Sequence, residues 1–268
     1  MANIVVTGST RGIGLGLVQE FHSRGNGVMV VGRDQTRIEP VVRHFGEERA
    51  AGFACDVTDP EQVRGLWHAA SERFGRVDHW INNAGMTTSR HPLWNQPDDE
   101  IKATVDTNLL GSLYGSKTAI QGMWHQGGGV VWNFEGFGSD GRVGEGMVTY
   151  GSTKSAITYL HKSLAADTKN SPVDVGVLSP GIVVTDLLTD GYEIPSPEWD
   201  KAKKILTILG DRVETVVPFL VKGVLESKGS DRSVKWLTNR KAATRFMNPK
   251  YKKRDLFSDV EAAARSGS

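Results

Sequence analysis

The segment TGSTRGIG, Thr7 to Gly14, joins a short β-branched run to a stretch of helical period. A strand that passes into a helix through such a loop commits the chain that follows to layered α/β packing. Gly8 allows the sharp turn, Gly12 lets backbone approach a bound group, and Gly14 permits close helix–sheet contact. The helix start then offers unpaired N–H groups and a positive dipole end, which suit a pyrophosphate. Ser9, Thr10, Arg11 and Ile13 complete the candidate cradle. The spacing is G-x3-G-x-G rather than G-x-G-x-x-G, so a simple strand–helix turn is the bland alternative. Its place on the first strand favours the binding reading.

The rest of the chain keeps the alternation. Strands are expected at Asn3–Thr7, Gly27–Gly32, Ala51–Cys55, Val77–Asn82, Gly129–Phe134, Val173–Ser179 and Ser233–Leu237. Helices are expected at Gly12–Arg24, Gln35–Phe45, Pro60–Phe74, Asp98–His125, Tyr150–Thr168 and Arg212–Ser227. Such alternation predicts a Rossmann-type, doubly wound three-layer sandwich around a seven-stranded parallel sheet of order 3-2-1-4-5-6-7. Thr58 or Asp59 caps the third helix, with Pro60 in its first turn. Residues 186–210, with Pro195 and Pro197, interrupt the pattern and read as a long functional loop, a lid.

A chain of 268 residues fits one NAD(P)-binding Rossmann domain over 1–268 and needs no disulfide staples. Cys55 is the only cysteine, which fits a reducing compartment. The first strand begins at Asn3, leaving no room for a signal peptide, and no apolar run approaches the roughly 20 residues of a membrane span. The cytoplasm is the expected location. A net charge of +1 gives no argument for nucleic acid. The charge is uneven, however. From Lys228 onward eleven Lys and Arg face four acids, about +7, leaving about −6 elsewhere. Trp236, Phe246, Met247 and Tyr251 are interleaved with these cations. A basic extension over about 238–268 is read as a helix packed on the body or on a second subunit, with membrane-surface contact the rival reading. The seven histidines show no ligand spacing, and no metal is expected.

The second strand ends VVGRD. An NAD enzyme places a carboxylate there for the ribose 2′-hydroxyl, whereas this chain has Arg33, with Arg11 on the same side. Two guanidiniums suit a 2′-phosphate, so the cofactor expected is NADPH/NADP+. Asp34 could still reach the ribose, and Arg33 as a solvated surface charge is the bland reading. Asp56, followed by Val57, is placed to accept from the adenine amine or to cap a helix. Asn83, Ala84 and Gly85 of NNAG end the fourth strand beside the dinucleotide path. Tyr150 and Lys154 are four apart, hence on one helix face. A free phenol with a pKa near ~10 is a poorly matched acid at neutral pH, and a neighbouring ammonium would lower it.

In this order and at these intervals, the glycine loop, Asp56, NNAG, Asn108, Tyr150/Lys154 and SPGIVVTD resemble the short-chain dehydrogenase/reductase family. The resemblance implies Tyr150 as proton donor and Lys154 as ribose holder and tuner of Tyr150. It implies Asn108 in a water-linked proton relay. Pro180, Gly181, Val183 and Thr185 would lie against the nicotinamide carboxamide. It also implies a homodimer or homotetramer assembled through the helices that carry Asn108 and Tyr150.

Family members usually carry a serine upstream of the tyrosine, and counting back lands on Phe137. A site with no donor there loses about 3 kcal/mol of transition-state stabilisation. Ser139, two residues on in NFEGFGSDG, is therefore taken as the donor, with glycines 136, 138 and 141 letting the loop re-route. NFEGFGSDGR, YGSTKSAITYLHKSL and SVKWLTNRKAATRFM are similar to the chlorophyll(ide) b reductase branch, where the serine is displaced in the same way. That branch reduces a ring formyl group to hydroxymethyl with NADPH.

Met86, His91, Trp94, Glu135, Phe137, Met147, Tyr192 and Trp199 fall on loops beyond the sheet's carboxyl ends, where open α/β folds bind ligands. They read as a rim for a flat apolar carbonyl such as a tetrapyrrole, or as lid and dimer packing. The expected activity is NADPH-dependent carbonyl reduction. The rivals are a general ketone, aldehyde or alcohol oxidoreductase, and a nucleotide-sensing protein of weak activity.

Overall fold

Strand β1 (Asn3–Val6) is buried along its whole length, and its side chains leave alternately to opposite faces. Ile4 and Val6 enter one apolar cluster and Val5 the other. This two-residue period fixes a sheet that must be covered on both sides. The computed structural model describes residues 1–266 and shows that arrangement. β2 (Gly27–Gly32), β3 (Ala50–Ala54), β4 (His79–Asn82), β5 (Gly129–Phe134), β6 (Val173–Ser179) and β9 (Arg232–Lys235) join β1 in one seven-stranded sheet. Its order is β3-β2-β1-β4-β5-β6-β9, parallel at every pairing. The expected Rossmann-type fold and strand order are both present.

One face is covered by α1 (Gly12–Ser23), α2 (Gln35–Phe45) and α9 (Val213–Glu226), which supply Leu17, Phe21, Ile38 and Leu220 to the first cluster. The other is covered by α3 (Pro60–Phe74) and α5 (Gly111–Gln126), with Leu66, Trp67 and Met123, and by Leu164 of α6 (Val148–Asp167). Asp59, not Thr58, caps α3, accepting from the backbone N–H groups of Glu61 and Gln62.

Two expectations are corrected. The helix predicted over Asp98–His125 is broken: α4 (Asp98–Val105) passes through a π-helical turn, Asp106–Leu110, before α5 begins. The uninterrupted helical period of the sequence concealed that turn. The segment 186–210 is not an irregular loop. After β7 (Ile182–Val183) come α7 (Asp186–Thr189) and α8 (Pro197–Leu209), then β8 (Gly210–Asp211), which pairs with β7. Ser196 caps α8 by accepting from Trp199 N–H, with Pro197 in the first turn. That Ser–Pro start is the same kind of signal as Asp59–Pro60 and was readable.

Beyond the sheet, α10 (Asn239–Met247), α11 (Pro249–Lys252) and α12 (Ser258–Ser266) fold back on α8. Leu256 and Phe257 join Trp199 and Leu206 in a third apolar cluster. The basic segment also turns charge inward. Buried Asp211 accepts from Arg245 Nη2 at 2.7 Å, Arg254 Nη1 at 3.0 Å and Trp236 Nε1 at 2.7 Å. Both arginines also donate to carbonyls at the C-terminal end of α8, Arg245 to Leu209 and Arg254 to Thr207, Ile208 and Gly210. Guanidinium at a helix C-terminus satisfies orphan carbonyls and meets the negative dipole end. Among the described residues no helix is long and apolar enough to cross a membrane.

Removing the central acid strands two inward-facing cations. Asp211→Ala is expected to destabilise the fold by about 3–5 kcal/mol. Urea unfolding followed by circular dichroism measures it, and a loss under about 1 kcal/mol would show that the arginines find other partners.

Candidate active site

The glycine loop lies at the carboxyl end of β1, closed against the end of β4. Gly8, at φ +63°, is so near Ala84 that an added Cβ would fall 2.9 Å from its Cα. A Cβ on Gly14 would stand 2.2 Å from the Gly8 carbonyl oxygen. No larger residue fits there, and close packing is the physical content of this glycine. Asn83 fastens the two strand ends. Its Nδ2 donates to the Thr7 and Gly8 carbonyls, and Thr7 Oγ1 accepts from Asn83 and Ala84 N–H. No side chain caps α1, so its first-turn N–H groups face the cleft without one. Across that cleft stands Thr185, whose Cγ2 would lie 3.5 Å from a Cβ on Gly12, and Arg11 pairs with Asp186 at 3.2 Å. The predicted residues Gly8–Gly14, Asn83–Gly85 and Pro180–Thr185 thus converge on one edge of the sheet.

Some members of that set serve the fold. Ser9 is fully buried, and its hydroxyl accepts from Val31 N–H at 2.8 Å, fastening the loop to β2. Thr10 packs against Gly32, and Val57 against Gly111. Asp56 closes a local turn, accepting from the N–H and hydroxyl of Thr58. Asp34 caps α2, taking the Thr36 N–H at 2.8 Å and its hydroxyl at 2.6 Å on the same oxygen. These bonds hold its carboxyl below the usual carboxylate range. Arg33 is exposed and has no ion-pair partner among the described residues.

The candidate catalytic residues are carried by β5, α6 and the π turn. Asn108, on that turn, is buried and its side chain is fully engaged. Its Oδ1 accepts from Met86 N–H, and its Nδ2 donates to Met86 O and to Thr153 Oγ1. It thereby ties the loop after β4 to α6, and no side-chain N–H is left over for a relay. Lys154 is buried, donates from Nζ to the Phe134 carbonyl at 3.1 Å, and burial pushes its amine down to about 8. Tyr150 is one helical turn away, its ring centre 5.8 Å from Nζ. Burial pushes the phenol up to about 12, opposed by the charge of Arg90.

Over Tyr150 lies Gly136. A Cβ there would stand 2.7 Å from the phenol oxygen and 3.1 Å from Lys154 Cγ. Ser139 holds this turn in place: its Oγ accepts from Gly136 N–H at 3.1 Å and donates to the Lys154 carbonyl at 3.0 Å. To reach a carbonyl oxygen in the cleft, the hydroxyl would have to give up Lys154 O, since it carries one proton. Phe137 is half-exposed and packs toward Gly144.

The proposed rim divides. Trp94 is 84% exposed, and His91 is exposed. Met86 lies under Asn108. Glu135 turns to Lys235, 3.6 Å away, and to Thr158 Oγ1. Trp199 is a correction: it is buried in the third apolar cluster, edge-on to Phe257 at 5.1 Å, with Nε1 donating to Glu261. Tyr192 and Met147 instead enclose Arg90, a residue that sequence reasoning passed over. A lone arginine in a loop has no period or spacing to mark it.

Gly136→Ala is expected to push the phenol aside while leaving the protein folded. A displacement of about 1 Å at a reacting group costs about a hundredfold in turnover of a carbonyl substrate. Unchanged turnover in that variant would show that the approach of Gly136 is immaterial.

The family model described as short chain dehydrogenase matches residues 2–193. Chlorophyll(ide) b reductase NOL of Oryza sativa subsp. japonica is 34% identical over 259 residues, spanning 92% of this chain and 74% of its own. Its counterpart in Arabidopsis thaliana is 36% identical over 260 residues, spanning 92% and 73%. The probable chlorophyll(ide) b reductase NYC1 of Oryza sativa subsp. japonica is 34% identical over 256 residues, and the match covers 88% of this chain but only half of that relative. Among solved structures, serine dehydrogenase complexed with NADP+ matches with a TM-score of 0.76 at 20% identity, covering 87% of this chain and 93% of that one. At that identity the likeness speaks for the fold. Parallel sheet, glycine loop, the Tyr150–Lys154 pair, the family model and these relatives agree, and the chain belongs to the short-chain dehydrogenase/reductase family of oxidoreductases.

Proposed function

We propose that the protein is an NADPH-dependent carbonyl reductase whose substrate carries a formyl group on a chlorophyll b-like ring. The observation that carries the reductase reading is the phenol of Tyr150, without a hydrogen-bond partner among the described residues and framed by Gly136 and Lys154. The glycine loop and Thr185 lie at the same end of the sheet. The ring substrate is supported by similarity to chlorophyll(ide) b reductases along 92% of the chain.

The residues fit a dinucleotide. The uncapped first turn of α1 suits a pyrophosphate, and unpaired Arg33 suits a 2′-phosphate, while the committed carboxylate of Asp34 is a poor partner for a 2′-hydroxyl. When bound, a reduced nicotinamide supplies hydride to the carbonyl carbon. Tyr150 donates its proton to the oxygen, and Lys154 holds the ribose. Asn108 keeps the loop after β4 in register, and its backbone carbonyl accepts from the Ser112 hydroxyl at 2.7 Å. Ser139 maintains the Gly136 turn and reaches the substrate oxygen only by exchanging its bond to Lys154 O. Tyr159 of α6 and Trp124 of α5 are 75% and 54% exposed, which supports association through these helices into a dimer or tetramer.

Incubation with NADPH and chlorophyllide b tests the reading, because conversion of formyl to hydroxymethyl shifts the absorbance. Tyr150→Phe should lower turnover at least about a hundredfold with NADPH binding retained. Activity on small ketones without the absorbance shift would favour a general ketone and aldehyde reductase, and an undiminished Tyr150→Phe enzyme would overturn the mechanism. Arg33→Asp is expected to move the NADPH-over-NADH preference by at least about tenfold toward NADH. Steady-state kinetics with both nucleotides measure this, and an unchanged ratio removes Arg33 from the cofactor site.

A further inference from the structure

No Asp or Glu stands between Asp231 and Asp255, a stretch that holds nine Lys and Arg. Five of the nine are used by the fold. Arg245 and Arg254 meet Asp211, Arg232 meets Asp174, Lys235 meets Glu135, and Lys241 lies over the Trp236 ring. The other four, Arg240, Lys250, Lys252 and Lys253, are exposed and have no side-chain partner among the described residues. They stand on either side of Phe246 and Met247, which are 45% and 76% exposed. Arg245 is buried, and the Tyr251 ring lies 5.0 Å from its guanidinium carbon and 4.6 Å from that of Arg254. With Arg245 and Tyr251 turned to the body, helical rotation turns Phe246, Met247 and Lys250 to the outside.

We propose that this outward face of α10 and α11 docks on an anionic lipid bilayer, its four free cations meeting the headgroups while Phe246 and Met247 enter the apolar boundary beneath them. Charge complementarity sets the sign of the partner, and the two exposed apolar side chains set its kind. Nucleic acid meets cations through phosphate and offers no apolar layer to a thioether. Lysines carry their charge into a headgroup layer on long apolar stems, so a bilayer accepts both classes of side chain at once. No described helix is long and apolar enough to cross a membrane, and the contact is one of surface. The face is anchored beside the candidate active site. Arg142, three residues beyond Ser139, donates to Oδ1 of Asn239, the first residue of α10, at 3.0 Å. Asn239 and Met247 are about 12 Å apart along the helix. Docking would therefore bring a lipid-dissolved molecule close to the loop that holds Gly136 and Ser139.

The test is cosedimentation of the full chain with phosphatidylcholine vesicles prepared with and without phosphatidylglycerol. The wild type should pellet only with the phosphatidylglycerol vesicles, and less at high salt. These two arms need no variant. The triple change Lys250→Gln, Lys252→Gln and Lys253→Gln should weaken binding at least about a hundredfold, and Phe246→Ser with Met247→Ser at least about tenfold. All five positions are exposed, and an unchanged circular dichroism spectrum shows that each variant is folded. Wild-type protein that stays in the supernatant overturns the proposal. So does full binding by the triple variant, or by the Phe246/Met247 variant, which would reveal an attraction that any polyanion satisfies. Retention by heparin or polyglutamate without vesicle binding identifies a polyanionic partner and likewise overturns it. Pelleting is read without turnover, so its failure leaves the reductase reading standing, and an active Tyr150→Phe enzyme leaves the docking standing.

Discussion

The bond from Lys154 Nζ to the carbonyl of Phe134 joins the last residue of β5 to the second turn of α6, and the site is arranged around it. It takes an amine out of water, and burial moves that amine down to about 8. The same bond brings the start of α6 over the sheet's carboxyl edge. Ser139, bonded to Gly136 N–H and the Lys154 carbonyl, repeats the connection one layer out. Between the two clasps there is room for a phenol oxygen above Gly136 and for no additional methyl group. The lysine therefore acts first as a structural strut of the site.

A second set of fastenings works from the other half of the sheet. Thr7 and Asn83 tie β1 to β4, Asn108 ties the loop after β4 to α6, and Ser9 ties the glycine loop to β2. Each uses a short polar side chain to satisfy backbone groups at strand ends, where ladder partners run out. The start of α1 keeps its N–H groups clear because the neighbouring polar side chains are engaged elsewhere. Binding capacity here is created by what the surrounding residues satisfy among themselves.

Much of this was legible in the sequence. β-branched runs separated by helical periods gave the sheet and its order, since burial on both faces leaves a signal at every strand. Tyr150, Lys154 and the glycine loop were found by spacing, because their neighbours in space are also near in sequence. The π turn at Asp106–Leu110 was hidden, since a one-residue change of hydrogen-bond partner leaves the hydrophobic pattern almost intact. Trp199 was misplaced because an aromatic residue in a proline-bearing stretch looks the same whether it lines a cleft or fills a core. Ser139 was located by counting, but the direction of a hydroxyl proton depends on a carbonyl fifteen residues away. Arg90 has contacts with Met147, just before α6, and with Tyr192, beyond β7, that no local pattern encodes.

The acid at 211 and the arginines at 245 and 254 are separated by more than thirty residues yet share one buried cluster. The family model ends at residue 193, before any of the three. Their charges make sense only as a set, because either arginine without the acid, or the acid without them, is an ion stranded in the interior. Related chains should therefore gain or lose these three positions together. A homologue with an apolar residue in place of the acid can be expected to end earlier, or to carry something other than arginine on the helices that close over α8.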